Sequence, residues 1–175
     1  MPIDKLIKKI LPFKYKRAVK EKLGVPSLHW SLQNLKKINF NFSTVLDFGA
    51  YEGAFPATDN PGVILKTQTV DSLLIEKHFA LPDFIKLDVQ GHEMEVLKGA
   101  KAAMVHAEVC LLEISLFDFG DGTPLLLEML NFMDSNGFRA YDISQFMRRP
   151  LDKLLFQIDM FFVKKDSFLI ADKRW

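Results

Sequence analysis

The chain has 175 residues, 49% of them hydrophobic, with 23 basic residues against 22 acidic ones and a net charge of +1. That length suits one domain with a real core; the hydrophobic content excludes a disordered chain, and the charge excludes a general electrostatic affinity for nucleic acid. A single cysteine, Cys110, excludes an internal disulfide and fits a reducing, cytoplasmic setting.

Residues 1–24 carry Lys5, Lys8, Lys9, Lys14, Lys16, Arg17, Lys20 and Lys22 against only Asp4 and Glu21. Leu6, Ile7, Ile10, Leu11 and Phe13 are interleaved with them, and Pro12 breaks the segment. The preferred reading is a solvated helix that packs its apolar stripe on the domain. The other is a weak contact with a membrane surface or an acidic partner. The segment lacks the continuous apolar run of a secretory signal, and nowhere does an uncharged apolar stretch reach the roughly 18 residues needed to span a bilayer.

Ser43–Phe48 is a short apolar run entering a glycine turn, so a buried strand is expected there. Residues 54–62, with two prolines and a glycine, form a loop. Val63–Val70 alternates apolar and polar residues, as a partly exposed strand would, and Asp71 then caps a helix to about His78. Phe84–Val89 is a second central strand, followed by a helix from about His92. Val109–Ser115 is a third, with Glu113 near its end, and Cys110 within it reads as a small core residue.

Thr123 and Pro124 make a good N-cap and first-turn pair and Gly137 a good stop, which places a helix over 124–136. Arg139–Ile143 and Leu155–Val163 are two further strands. The short connection between them, with Arg148, Arg149 and Pro150, implies an antiparallel pair. The pattern is an α/β fold, a mostly parallel sheet with a C-terminal antiparallel hairpin.

Two segments carry chemistry. In VLDFGAYEG (45–53) an acid near a strand end precedes a glycine turn, which lets backbone approach a ligand closely. Taken alone it is equally a tight strand-to-helix turn. In DFIKLDVQGHEMEVLK (83–98) a second acid, Asp88, stands near the end of an apolar run and before Gly91. Ligands of open α/β sheets sit outside the carboxyl ends of the strands, so Asp88 falls at the mouth of a site. His92, Glu93 and Glu113 could reach the same edge. His92 has a suitable reference pKa but sits where helices usually place a surface or capping residue. Glu93 suits the positive end of a helix dipole as well as it suits catalysis. Glu113 lies in an apolar strand, where an acid is costly unless paired or functional. His29, His78 and His106 show no metal-ligand spacing, so no metal is expected.

VLDFGAYEG, TVDSLL (69–74), DFIKLDVQGHEMEVLKGA (83–100) and LLEIS (111–115), in that order, resemble the FkbM family of S-adenosylmethionine-dependent methyltransferases. RRPLD (148–152) and FQIDMFFVKK (156–165) resemble the family's C-terminal hairpin. The resemblance implies a Rossmann-like methyltransferase sheet and methyl transfer to a hydroxyl, often on a sugar or natural-product scaffold. It covers roughly residues 40–168, and the chain is read as a basic N-terminal helical segment (1–38) followed by a methyltransferase-like domain (39–175). The resemblance further implies that Asp47, Gly49, Ala50, Tyr51, Glu52 and Gly53 hold the methionine and ribose end of S-adenosylmethionine. Asp88 would stand beside the methyl group, with His92 and Glu113 as further catalytic candidates. Where the family usually has Glu, this chain has Gln90.

Asp47 and Asp88 stand only 41 positions apart. The family places two further βα units there, each of roughly 25–30 residues, so strands 2 and 3 of the family sheet are expected to be lacking. In the family's strand order, 3-2-1-4-5-7-6, those two lie together at one edge, and the rest can still form a contiguous sheet. The first strand then becomes an edge, which Val63–Val70 or a second copy of the chain would cover, the latter giving a homo-oligomer. Two other readings are a degenerate methyltransferase-like domain serving as a binding or scaffold module and a different Rossmann-type nucleotide binder.

Overall fold

The computed structural model describes residues 25–49 and 67–174. The basic segment 1–24, Ala50–Gly53 and residues 63–66 of the expected Val63–Val70 strand lie outside the described residues. Helix α1 (Leu28–Lys37) comes first. Strand β1 (Val45–Phe48), helix α2 (Val70–Glu76), strand β2 (Phe84–Leu87) and helices α3 (Glu93–Lys98) and α4 (Lys101–His106) follow. Strand β3 (Val109–Ser115), helix α5 (Leu126–Ser135), strands β4 (Phe138–Arg148) and β5 (Leu155–Lys164), and a 3-10 turn at Phe168–Ile170 complete the described elements. None of the described helices is long and apolar enough to cross a membrane.

The five described strands form one sheet in the order β1-β2-β3-β5-β4. β1, β2 and β3 are parallel, whereas β5 runs antiparallel to both β3 and β4. This is the contiguous order expected for the family's first, fourth, fifth, seventh and sixth strands. Between Gly49 and Phe84 the described residues hold one helix, α2, and no strand.

Alternation along the strands separates two cores. Ile85, Leu87, Cys110, Leu112, Ile114 and Phe162 face one way and pack against Leu74, Leu97, Met104, Met129 and Met133 of the helices. Phe84, Val109, Leu111, Phe161 and Val163 face the other way and meet Leu28, Leu32 and Leu35 of α1, spaced at helical intervals. Ser27 caps α1 by accepting from Trp30 N at 3.3 Å, and Ser31 Oγ donates to Asp142 Oδ2 of β4 at 2.6 Å. The described part of the segment before residue 39 is therefore fastened to the sheet. Burial pushes the Cys110 thiol up to about 12, which makes it an inert core residue.

Several local expectations are corrected. β1 is not buried: among the described strands it pairs only with β2, and Val45 is 45% exposed. Its start is tied instead by Asp83, whose carboxylate accepts from Ser43 N, Ser43 Oγ and Thr44 N at 2.8, 2.8 and 3.0 Å. Residues 67–69 form no strand, and Val70 already belongs to α2. The cap of α2 is Thr69, accepting from Ser72 N at 3.2 Å, and not Asp71. Asp71 caps α4 instead, accepting from Ala102 N at 2.8 Å and Ala103 N at 3.1 Å.

β2 stops at Leu87, which leaves Asp88 just beyond the strand. The single helix expected from His92 is two, parted at Gly99 and Ala100. α5 begins at Leu126, two residues later than Pro124 suggested, because Glu128 Oε2 accepts from Leu125 N at 2.8 Å and sets the first turn there. β4 runs on to Arg148 through three register shifts against β5.

Candidate active site at the carboxyl edge of the parallel strands

The first residue beyond β1 meets the first beyond β2. Gly49 has φ +113°, and a Cβ there would stand 1.8 Å from the Asp88 carbonyl oxygen. Asp88 N donates to Phe48 O at 3.0 Å, continuing the ladder past the ends of the strands. The glycine thus lets the two motifs close on each other.

After Asp88 the chain makes a tight turn with two consecutive positive φ values, +53° at Gln90 and +95° at Gly91. Glu93, only 4% exposed, folds back beneath it. Its carboxylate accepts from Val89 N at 3.0 Å and from Gly91 N at 3.1 Å. Burial raises its pKa while the backbone donors lower it. Those bonds make Glu93 the brace of the turn, so it is not free to act as a base.

Gln90 Nε2 donates to Asp88 Oδ1 and to Glu113 Oε1, each at 2.9 Å. Glu113 lies on β3 directly opposite Asp159 of β5, and like charges so paired repel. Burial first, and then the charges of Asp88, Asp159 and Glu93, push the Glu113 carboxyl up to about 7. Asp159 is likewise raised, by burial and by Asp88, with Lys86 acting against both. Lys86 Nζ donates to Asp47 Oδ1 of the neighbouring strand at 2.8 Å, and the Asp47 side chain stays 57% exposed.

His92 is exposed, occupies the N-cap position of α3 and makes no capping hydrogen bond. It lines a cleft of about 400 Å³ with Gln90, Gly91 and Glu95 on one wall and Asp121 and Thr123 on the other. Thr123 packs on Gly91, where a Cβ would meet its Oγ1 at 2.4 Å. The His92 charge helps hold Asp121 low, after the stronger pull of hydrogen bonds from Thr123.

Of the residues expected from sequence, Gly49 and Asp88 are thus in contact, Glu113 joins Asp88 through Gln90, and Asp47 stands alongside on β1. His92 faces the cleft, on the other side of the turn. Lys86, Gln90, Asp121 and Asp159 were missed. Lys86 and Asp159 carried the same signal as Glu113, a charge inside an apolar strand; Gln90 was marked only as a departure from the family's usual Glu, with no role assigned, and nothing in the sequence marked Asp121. His29 and His78 lie on the surface, and His106 Nδ1 is 3.0 Å from Pro82 O. Among the described residues no three His, Cys, Asp or Glu side chains assemble into a metal site.

The family model of the methyltransferase FkbM domain matches residues 31–140. Over 80 residues the chain is 34% identical to the hexuronic acid methyltransferase AglP of Haloferax volcanii. That stretch is 45% of this chain and 34% of the relative, so the similarity spans about a third of that protein. No solved structure matches the chain.

Proposed function

Because the chain belongs to the FkbM methyltransferase family, we propose that it is an S-adenosylmethionine-dependent methyltransferase acting on a hydroxyl of a small saccharide or natural-product scaffold. The observation that carries this reading is the closure of Gly49 on Asp88, a residue of the first motif against the acid of the second. The chemistry of the groups there suits the donor: Asp47, Asp88 and Glu113 are acids at an edge where a sulfonium and an amino group would be favoured by nearby negative charge. When bound, the donor supplies an electrophilic methyl group on a cationic sulfur.

The remaining work falls to the chain. Asp47, Gly49 and Asp88 form the donor side, with Asp88 beside the transferred group. The cleft wall of His92, Asp121 and Thr123 forms the acceptor side, where polar groups without an apolar side chain suit a polyhydroxylated molecule. Transfer needs the hydroxyl held in line and relieved of its proton. Glu113 is the base in this reading, since a carboxyl raised to about 7 is matched to neutral pH. His92 makes a hydrogen bond to the acceptor. A non-catalytic binding module is the second reading, favoured by the 41-position spacing of Asp47 and Asp88.

The test is transfer of label from methyl-labelled S-adenosylmethionine to a panel of neutral saccharides and hexuronates by the full chain. The Glu95 and Asp121 carboxylates in the cleft wall make neutral saccharides the expected acceptors. Labelled product that disappears in His92→Ala supports the proposal. Bound donor with transfer to no member of the panel favours the binding module.

A further inference from the structure

Gln90 occupies a costly conformation. A φ of +53° lies in the left-handed region that L side chains rarely adopt, and glycine or asparagine would sit there more easily. The turn is nevertheless fixed from beneath by Glu93 and from the side by Thr123 against Gly91. The result aims one amide nitrogen at two acids from different elements, Asp88 after β2 and Glu113 on β3, at equal distances of 2.9 Å. Those acids otherwise face an environment rich in negative charge. Glu113 is confronted by Asp88 after β2, by Glu93 at the start of α3 and by Asp159 from β5. Lys86 of β2, itself engaged by Asp47 of β1, is the cation that acts against them.

We propose that Gln90 is a positioning residue, whose uncharged amide clamps Asp88 and Glu113 around one nitrogen. Asparagine is one methylene too short to span both acids. A carboxylate in its place would bring a third negative charge and no donor, and a methionine would fill the space with neither. The clamp deepens the methyltransferase reading: its part in catalysis rests on that reading, whereas the link between the two acids does not.

The linkage is read directly by following the Glu113 side-chain carboxyl with carbon-13 NMR through a pH titration of the full chain, without donor or acceptor. An amide donor stabilises the ionised carboxylate, so losing it moves the midpoint upward. Gln90→Met is expected to raise the Glu113 midpoint by about one unit, and Gln90→Glu by more, with a broadened curve from coupled carboxyls. Gln90→Asn, which accepts the left-handed backbone and guards against a folding defect, is expected to shift it in the same direction. An unchanged Glu113 midpoint in folded Gln90→Met and Gln90→Asn would overturn the clamp and leave the methyltransferase reading standing. The titration needs no turnover, so a failure of methyl transfer would leave the measured midpoints, and the clamp, untouched.

Discussion

The Cα of Gly49 lies so close to the backbone of Asp88 that an added Cβ would stand 1.8 Å from the Asp88 carbonyl oxygen and 2.6 Å from its carbonyl carbon. Contact with backbone cannot be relieved by turning a side chain, and φ +113° is itself closed to L-residues at little cost. Gly49→Ala should therefore lose at least about 2 kcal/mol of stability by urea denaturation. It should also abolish binding of the methyl donor in any folded fraction. A variant with wild-type urea midpoint and affinity would show that the two motifs need not touch.

Glu113 predicts a pH dependence of stability. Its folded pKa, raised from 4.5 to about 7, means that the folded chain holds this proton more tightly than the unfolded one. The associated stability is complete below about pH 4.5 and is lost as pH rises through about 7. Glu113→Gln mimics the protonated form. It should match wild type near pH 4 and exceed it near pH 8 by about 1–2 kcal/mol, once screening at the half-buried carboxyl is allowed for. Thermal melts at both pH values decide this, and equal offsets would contradict the raised pKa. In turnover, wild type should gain activity with a midpoint near 7, and the variant should lose the base.

Asp71 joins two helices that are remote in sequence. Its carboxylate takes the amides of Ala102 and Ala103 at 2.8 and 3.1 Å, so Asp71→Ala should cost about 1 kcal/mol, as removal of a helix cap does. Asp71→Asn should recover part of it. Urea melts of the two variants check this, and an Asp71→Ala midpoint equal to wild type would show that the capping bonds contribute nothing net.

Adjacent residues at the end of β2 should separate function from folding. Leu87 is 1% exposed in the core, and Leu87→Ala should remove about 2–5 kcal/mol, enough to unfold much of the protein. Asp88→Asn, at the half-buried edge, should leave the melting curve nearly unchanged and abolish methyl transfer. Turnover in Asp88→Asn equal to wild type would remove Asp88 from the reaction.

Much of the sheet was legible because its strands carry their own signals. VCLLEIS is apolar enough to require burial on both faces, and it forms β3 over the expected residues. The hairpin followed from the short connection before Leu155. What stayed hidden depends on partners distant in the chain. STVLDF reads the same in a central strand or an edge, and only the neighbours decide; here β1 has one described partner. Asp71 is a plausible cap for the helix it belongs to, yet Thr69 does that work and Asp71 reaches α4. At the site, Asp88 and Glu113 stood out as acids in apolar surroundings. Gln90 showed only as a neutral residue where the family usually has Glu; its two acid partners come from different elements, which the sequence does not bring together.

The central claim is that the edge formed by Gly49 and Asp88 binds a methyl donor. Titration calorimetry of the full chain with S-adenosylhomocysteine tests it most directly. The account predicts saturable one-site heat with a Kd of about 1–100 μM, or roughly 5.5–8 kcal/mol of binding free energy, lost in Gly49→Ala. No heat at high micromolar ligand, with the chain folded, would contradict it.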